Sequence, residues 1–245
     1  MPTHGALVVF GSGPGVGRNV AALFAEKGFK QVVLISRNAE RLSQDADMVR
    51  SASPKAAVYT VPVDLGDTEA VQKGLERVEE CIGETTLEFV LFNAARTGKS
   101  EFFDFSAGQL QSDFQIAVIG LYTVAQWAIP KLLHTASNDT SSTPSFLITS
   151  GMLAKDPFPA MFSLGACKAA QYSLATSLHK EFESKGVHCG VIIIGGTVSD
   201  DSKVTNARNI AEETYKMFRQ RRGHGELELM LADPGYEDHV KNREK

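Results

Sequence analysis

Apolar and polar positions along this chain follow two alternating periods. Short apolar runs recur at residues 6–10 (ALVVF), 31–36 (QVVLIS), 57–61 (AVYTV), 88–92 (EFVLF), 145–150 (SFLITS) and 187–194 (VHCGVIII). Each has the length of a strand, and the last has the unbroken character of a strand buried on both faces. Between them lie amphipathic runs with helical spacing. These predict helices from near Gly15, at residues 39–51, from Asp67 to about Ile82, at 107–134, at 161–185 and at 207–221, with a final strand at 226–231. The polar stretch 135–144 (TASNDTSSTP) reads as a surface loop, and the charged tail from Glu237 as a fraying end. Strands alternating with long helices imply one parallel sheet with helices on both faces. The expectation is a single α/β domain over residues 1–245: a Rossmann-like, doubly wound, seven-stranded parallel sheet.

The first strand runs into Gly11-Ser12-Gly13-Pro14-Gly15-Val16-Gly17-Arg18, and a helix follows. Strand, glycine turn and helix form the setting in which glycines mark a dinucleotide site. Glycine permits a tight turn and lets main-chain N–H groups approach a pyrophosphate. The helix start adds its positive dipole end. Ligands in such sheets bind beyond the C-terminal strand ends. The positions to inspect are therefore Gly11 to Gly17, Ser36-Arg37, Asp64-Leu65, Asn93-Ala94-Ala95, Ser150-Gly151 and Gly195-Gly196-Thr197.

Composition narrows the partners. A hydrophobic content of 43% suits a domain with a sizeable core. A formal net charge of -4 gives no basic field for nucleic acid. Cys81, Cys167 and Cys189 have no metal-binding spacing and read as free thiols of a reducing compartment. No apolar run approaches the ~20 residues of a membrane span, and the N-terminus enters a core strand too soon for a secretory signal. A cytoplasmic location is expected, with neither membrane nor nucleic acid as partner.

The set GSGPGVG, Asp64-Leu65, Asn93-Ala94-Ala95, Lys168 and Gly196-x-Val198 resembles the short-chain dehydrogenase/reductases, in an atypical, fungal-type form. The resemblance spans residues 8–197 and implies a nicotinamide cofactor. By position, it implies that Gly11, Gly15 and Gly17, with Ser12, Gly13 and Val16, hold the pyrophosphate. Asp64 and Leu65 would lie by the adenine, and Asn93, Ala94 and Ala95 by the adenosine ribose. Gly196, Thr197 and Val198 would lie by the nicotinamide amide, and Lys168 on its ribose.

Charge selects the cofactor. An NAD site carries an acid about twenty residues past the glycines. Ser36 stands at that position here, followed by Arg37 and Asn38, with Arg41 one turn on. Serine and arginine suit the 2′-phosphate of NADP(H). The plainer alternative is that Arg37 is a solvated surface residue.

The catalytic half of the resemblance breaks. The family places a Tyr four residues before the Lys, and Leu164 stands there in Leu164-Gly165-Ala166-Cys167-Lys168. The family's Ser falls on Gly151, with Ser150 beside it, and its helix Asn falls on Ala117. Lys168 is then expected to act mainly on the cofactor. Asp156 is a substitute acid if Met152, Phe158 and Phe162 enclose it; otherwise it fixes the turn before Pro157. Tyr172 and Cys167 read as packing residues. The segment after Thr197 is too short for a helical lid. The cleft is thus open, or covered by residues 97–105 and 152–162 with Phe102, Phe103, Phe105, Phe158 and Phe162.

The resulting expectation is an NADP-dependent reductase of a carbonyl or imine in a hydrophobic small molecule. A non-redox isomerase or cyclase, and a non-catalytic NADP-binding protein, stay open beside it. Apolar residues of the two long helices (Ile116, Ile119, Leu121, Trp127, Leu174, Leu178) exceed one buried face, so a homodimer or homotetramer is expected.

Overall fold

Seven apolar segments become strands, and each carries its side chains alternately to the two faces of one sheet. The computed structural model describes residues 4–233 and 235–236. Its strands are β1 (His4–Phe10), β2 (Phe29–Ser36), β3 (Ala57–Pro62), β4 (Leu87–Phe92), β5 (Ser145–Gly151), β6 (His188–Gly195) and β7 (Glu228–Ala232). They lie in the order β3-β2-β1-β4-β5-β6-β7, all parallel. The winding direction reverses between β1 and β4, which opens a crevice at their C-terminal ends.

Helices α1 (Val16–Glu26), α2 (Ala39–Ala52), α3 (Thr68–Ile82), α4 (Ala107–Phe114), α5 (Gly120–Asn138), α6 (Phe162–Phe182) and α7 (Ala207–Phe218) complete the order. Along β1, Ala6, Val8 and Phe10 face one core with Val71, Leu121 and Leu132. Leu7 and Val9 face the other core with Val20, Leu23, Leu42 and Phe218. Burial on both faces explains why β1 has no polar alternation.

The structure amends the sequence reading at several joints. The helix expected at 107–134 is two helices joined by a π-helical turn, Gln115–Ile119. It continues to Asn138, so part of the expected loop 135–144 is helical. Thr135 is buried because its hydroxyl donates to the Leu87 carbonyl at 2.8 Å. Helix α6 ends at Phe182 and is followed by a short 3₁₀ turn, Glu183–Lys185. The charged tail from Glu237 lies outside the described residues. The helical stretch Ala107–Asn138 does contain a window long and apolar enough to cross a bilayer. Its apolar residues Leu121, Val124, Ala128 and Leu132 instead pack fully buried on the sheet. Leu121 is core, and Ile116, Trp127, Leu174 and Leu178 pack against it. Of the residues behind the oligomer expectation, only Ile119 is markedly exposed, beside the exposed Tyr122.

Asp67 shows how local chemistry sets a boundary. Its Oδ1 accepts from the Glu69 and Ala70 amides at 2.9 and 3.1 Å and so caps α3. Asp67→Ala is expected to cost about 1 kcal/mol, read as a lower urea midpoint at unchanged slope.

Candidate functional site: a cleft at the sheet's switch point

The turn after β1 is built by backbone contact. Gly11 sits at φ +89°, and a Cβ on it would stand 2.6 Å from the Ala94 nitrogen. The turn can therefore lie directly on the loop after β4 only if it carries no side chain there. Gly17 serves the same close approach from α1, since its Cβ would meet the Gly11 carbonyl oxygen at 2.8 Å. The amides of Gly11 and Ser12 both donate to the Ile35 carbonyl, at 2.9 and 3.0 Å. Asn93 locks the arrangement. Its Nδ2 donates to the Gly11 carbonyl at 2.8 Å, and its Oδ1 accepts from the Thr149 hydroxyl at 2.7 Å. Helix α1 then begins at Val16 with no side-chain cap and no acid in its first turn. Its first amides and positive dipole end are left for an anion.

Around this turn opens a cleft of about 870 Å³. It brings together Gly11, Ser12, Gly13, Gly15, Val16, Ser36, Arg37, Asn38, Arg41, Leu65, Asn93, Ala94, Ala95, Ser150, Lys168, Gly196, Thr197 and Val198. Three sequence candidates stand elsewhere. Gly17 is buried behind the turn and serves packing. Asp64 is exposed, outside the lining, and its carboxylate accepts from the Gly66 amide at 2.9 Å. Asp156 is also exposed and outside the lining, so no apolar pocket encloses it. Its place after the 3₁₀ turn Met152–Ala154, with its amide bonded to the Met152 carbonyl, is that of a turn residue. Asn38 lines the cleft, but its side chain is committed to capping α2 through the Arg41 amide.

At one end, the C-terminus of β2 brings Ser36 and Arg37 to the rim, and the first turn of α2 brings Arg41. Both arginines are exposed, and neither has an ion-pair partner among the described residues. The same end hides a residue missed in the sequence. Asp45 of α2 is fully buried, accepts from the Ser12 hydroxyl at 2.7 Å and lies 3.6 Å from Arg18. A signal existed: Asp45 occupies the apolar stripe formed by Leu42, Ala46 and Val49.

The other end is drier. Met152, Leu153, Met161 and Leu164 line it. The expected aromatic cover does not form. Phe102, Phe103, Phe105 and Phe162 cluster with one another outside the lining, and Phe103 is 98% exposed. Arg96 lines this end too, with its Nε 2.8 and 3.0 Å from the two oxygens of buried Asp113, which also accepts from Ser163 at 2.5 Å. Ser150 is buried, and its hydroxyl has no hydrogen-bond partner among the described residues.

Lys168 is 8% exposed. Its Nζ donates to the Thr149 carbonyl at 2.8 Å and to Gln171 Oε1 at 3.0 Å. Fully buried Gln171 in turn donates to the Ala117 carbonyl at 2.7 Å, inside the π-helical turn. Burial pushes the Lys168 ammonium down to about 8, against a small opposing effect of Cys167. Burial pushes the Cys167 thiol up to about 11, which suits a packing residue. Tyr172 lies outside the cleft and donates to Glu228, which also holds Lys155 at 2.5 Å.

The profile of the family described as short chain dehydrogenase matches residues 6–210. An uncharacterized oxidoreductase of Staphylococcus aureus is 29% identical over 210 residues, covering 84% of this chain and 83% of its own. An alcohol dehydrogenase of Thermococcus sibiricus, complexed with 5-hydroxy-NADP, superposes at a TM-score of 0.80 and 18% identity. That match covers 94% of this chain and 97% of the other. An NADPH-bound short-chain oxidoreductase of Pseudomonas aeruginosa with an atypical catalytic centre superposes at 0.69 and 24% identity, over 81% and 75% of the two chains.

The glycine turn gives a direct test. Gly11→Ala is expected to lower stability by about 1–3 kcal/mol, from the positive φ and the contact with Ala94. Nucleotide affinity should fall with it; an unchanged melting temperature would mean that the turn yields without strain.

Proposed function

The chain belongs to the short-chain dehydrogenases, and from that premise we propose that it is an NADP-dependent reductase acting on a carbonyl or imine of a hydrophobic small molecule. The observation that carries the cofactor choice is the end of β2. Ser36 and Arg37 stand where an acid would bind a ribose hydroxyl, and Arg37 and Arg41 line the cleft without a carboxylate partner among the described residues. A carboxylate there would repel a 2′-phosphate; an unpaired guanidinium holds one by charge-assisted bonds. The NADP-type ligands of the Thermococcus sibiricus and Pseudomonas aeruginosa proteins accord with that reading.

The rest of the cleft fits the same cofactor. The uncapped start of α1 and the amides of Gly13, Gly15 and Val16 suit a pyrophosphate. Thr197 and Val198 would flank the nicotinamide end. When bound, the cofactor supplies the two-electron reducing equivalent. The buried, unpartnered Ser150 hydroxyl provides a hydrogen bond for a substrate oxygen or nitrogen. The apolar wall of Met152, Leu153, Met161 and Leu164 selects a hydrophobic substrate and keeps water away from the reacting atoms.

Leu164 favours a second reading, because it puts no proton where the family places one. On that reading the cleft serves an isomerase or cyclase, or binds NADP without turnover. Incubation with NADPH and a panel of aldehydes, ketones and cyclic imines separates the two. Loss of absorbance at 340 nm supports the reductase, and none across the panel supports the second reading.

Two measurements test the details. NADPH should bind at least tenfold tighter than NADH, a difference of about 1.4 kcal/mol, and Arg37→Ala should abolish the preference. Equal affinities in the wild-type protein would refute the assignment. Asp156→Asn should leave turnover within twofold of wild type, since the side chain is exposed and away from the cleft. A hundredfold loss would return it to the role of acid.

A further inference from the structure

We infer that Lys168 is itself the proton donor of this site, and that Gln171, braced on the π-helical turn between α4 and α5, is the residue that positions it. The inference rests on the reductase reading and names the group that completes it.

Three observations carry it. The first is what lines the cleft. Among the described lining residues the ionisable ones are Arg37, Arg41, Arg96, Lys168 and Tyr236. Arginine does not release a proton at any pH a protein survives. Arg37 and Arg41 sit by β2, and Arg96 is held by Asp113. Lys168 donates to the carbonyl of Thr149, the residue before Ser150, and lies one helical turn after Leu164; all three of Ser150, Leu164 and Lys168 line the cleft.

The second is how Lys168 is held. An ammonium has three N–H groups. Two are fixed, on the Thr149 carbonyl and on Gln171 Oε1, and both acceptors are neutral. No carboxylate faces it from β5, from α6 or from the π-helical turn; its ionisable neighbour is Cys167, which burial keeps protonated. One N–H remains for a ligand. A carboxylate partner would have fixed the charge permanently, whereas two neutral acceptors hold the nitrogen in place while leaving its proton transferable. Desolvation then brings the ammonium to about 8, near the operating range of a general acid.

The third is Gln171. A π-helical turn breaks the regular hydrogen-bond ladder, and the Ala117 carbonyl within it takes the Gln171 amide at 2.7 Å. That bond fixes which end of Gln171 is the amide and turns its oxygen to Lys168. An amide oxygen there can only accept, so it holds Lys168 in both protonation states without exchanging the proton itself.

The step balances simply. A bound nicotinamide cofactor would supply the hydride to a carbonyl carbon, and Lys168 Nζ gives the proton to its oxygen. One N–H bond breaks, one O–H bond forms, and the neutral amine recovers its proton from solvent after product leaves.

The test pairs a titration that needs no turnover with a rate profile. In protein carrying ¹³C-labelled lysine and saturated with NADP⁺, the Lys168 signal, assigned by its loss in Lys168→Met, should titrate near pH 8. Gln171→Glu, which puts a carboxylate beside the ammonium, should raise that midpoint by a unit or more, while the lost bond to the Ala117 carbonyl lowers the melting temperature. With any substrate found in the panel, kcat should fall as pH rises through the same midpoint and move with it in Gln171→Glu. Lys168→Met should lower kcat at least a hundredfold at saturating NADPH, a loss separate from any weakening of the Kd for NADPH. A Lys168 that stays charged beyond pH 10, or turnover that survives Lys168→Met, overturns the inference. Loss of turnover in Tyr236→Phe with retention in Lys168→Met gives the role to Tyr236 and also overturns it. If no substrate is turned over by wild type or variants, the reductase reading fails and the donor role falls with it. Turnover that Lys168→Met leaves intact removes the donor role alone.

Discussion

Backbone touches backbone where the turn after β1 meets the loop after β4, and the cleft depends on that contact. Because Gly11 carries no side chain, the turn rests against Ala94; because Gly17 carries none, α1 starts immediately behind it. Asn93 then uses its amide on Gly11 and its oxygen on Thr149, tying β1, β4 and β5 together at their C-terminal ends. The same Thr149 offers its carbonyl to Lys168. A single chain of short polar contacts thus runs from the glycine turn to the buried ammonium.

Much of this was legible because it follows from period and turn chemistry. Apolar runs without polar alternation announce strands covered on both faces, as β1 and β6 are. The glycine spacing announces the close turn, and Asp67 announces the start of α3. What escaped the sequence was set by tertiary partners. The π-helical turn has no local signature, since Gln115–Ile119 reads as helix; its meaning comes from Gln171, over fifty residues later in the chain. Helix α5 runs on to Asn138 because Thr135 finds a carbonyl on β4. Asp156 was placed by analogy of loop position, and solvent exposure removed the apolar enclosure that the analogy needed. Asp45 was readable in principle, as a carboxylate on an apolar stripe, yet its purpose as an anchor for Ser12 required the fold.

The two ends of the cleft use charge in opposite ways. Arg37 and Arg41 stay in water, where attraction beyond roughly 8 Å is screened at physiological salt. On the proposed reading they would discriminate by touching a ligand and contribute little until one arrives. Lys168 has been taken out of water, and its charge is felt undiluted but is costly to keep. Exposed arginines suit selection between two soluble cofactors, and an enclosed lysine suits chemistry that solvent would quench.

That cost has a sign. The ammonium's value falls from its ordinary 10.5 to about 8 on folding. Between those values the folded chain binds fewer protons than the unfolded one, so this residue's contribution to stability rises with pH across that window and is lowest below it. At neutral pH the fold therefore carries an uncompensated charge that a methionine or leucine would spare it. Leu164, one turn earlier, shows that this helix face accepts an apolar side chain at the cleft. A lysine kept against that preference, with two neutral acceptors arranged around it and a helical turn distorted to present one of them, is a group held for what its proton does.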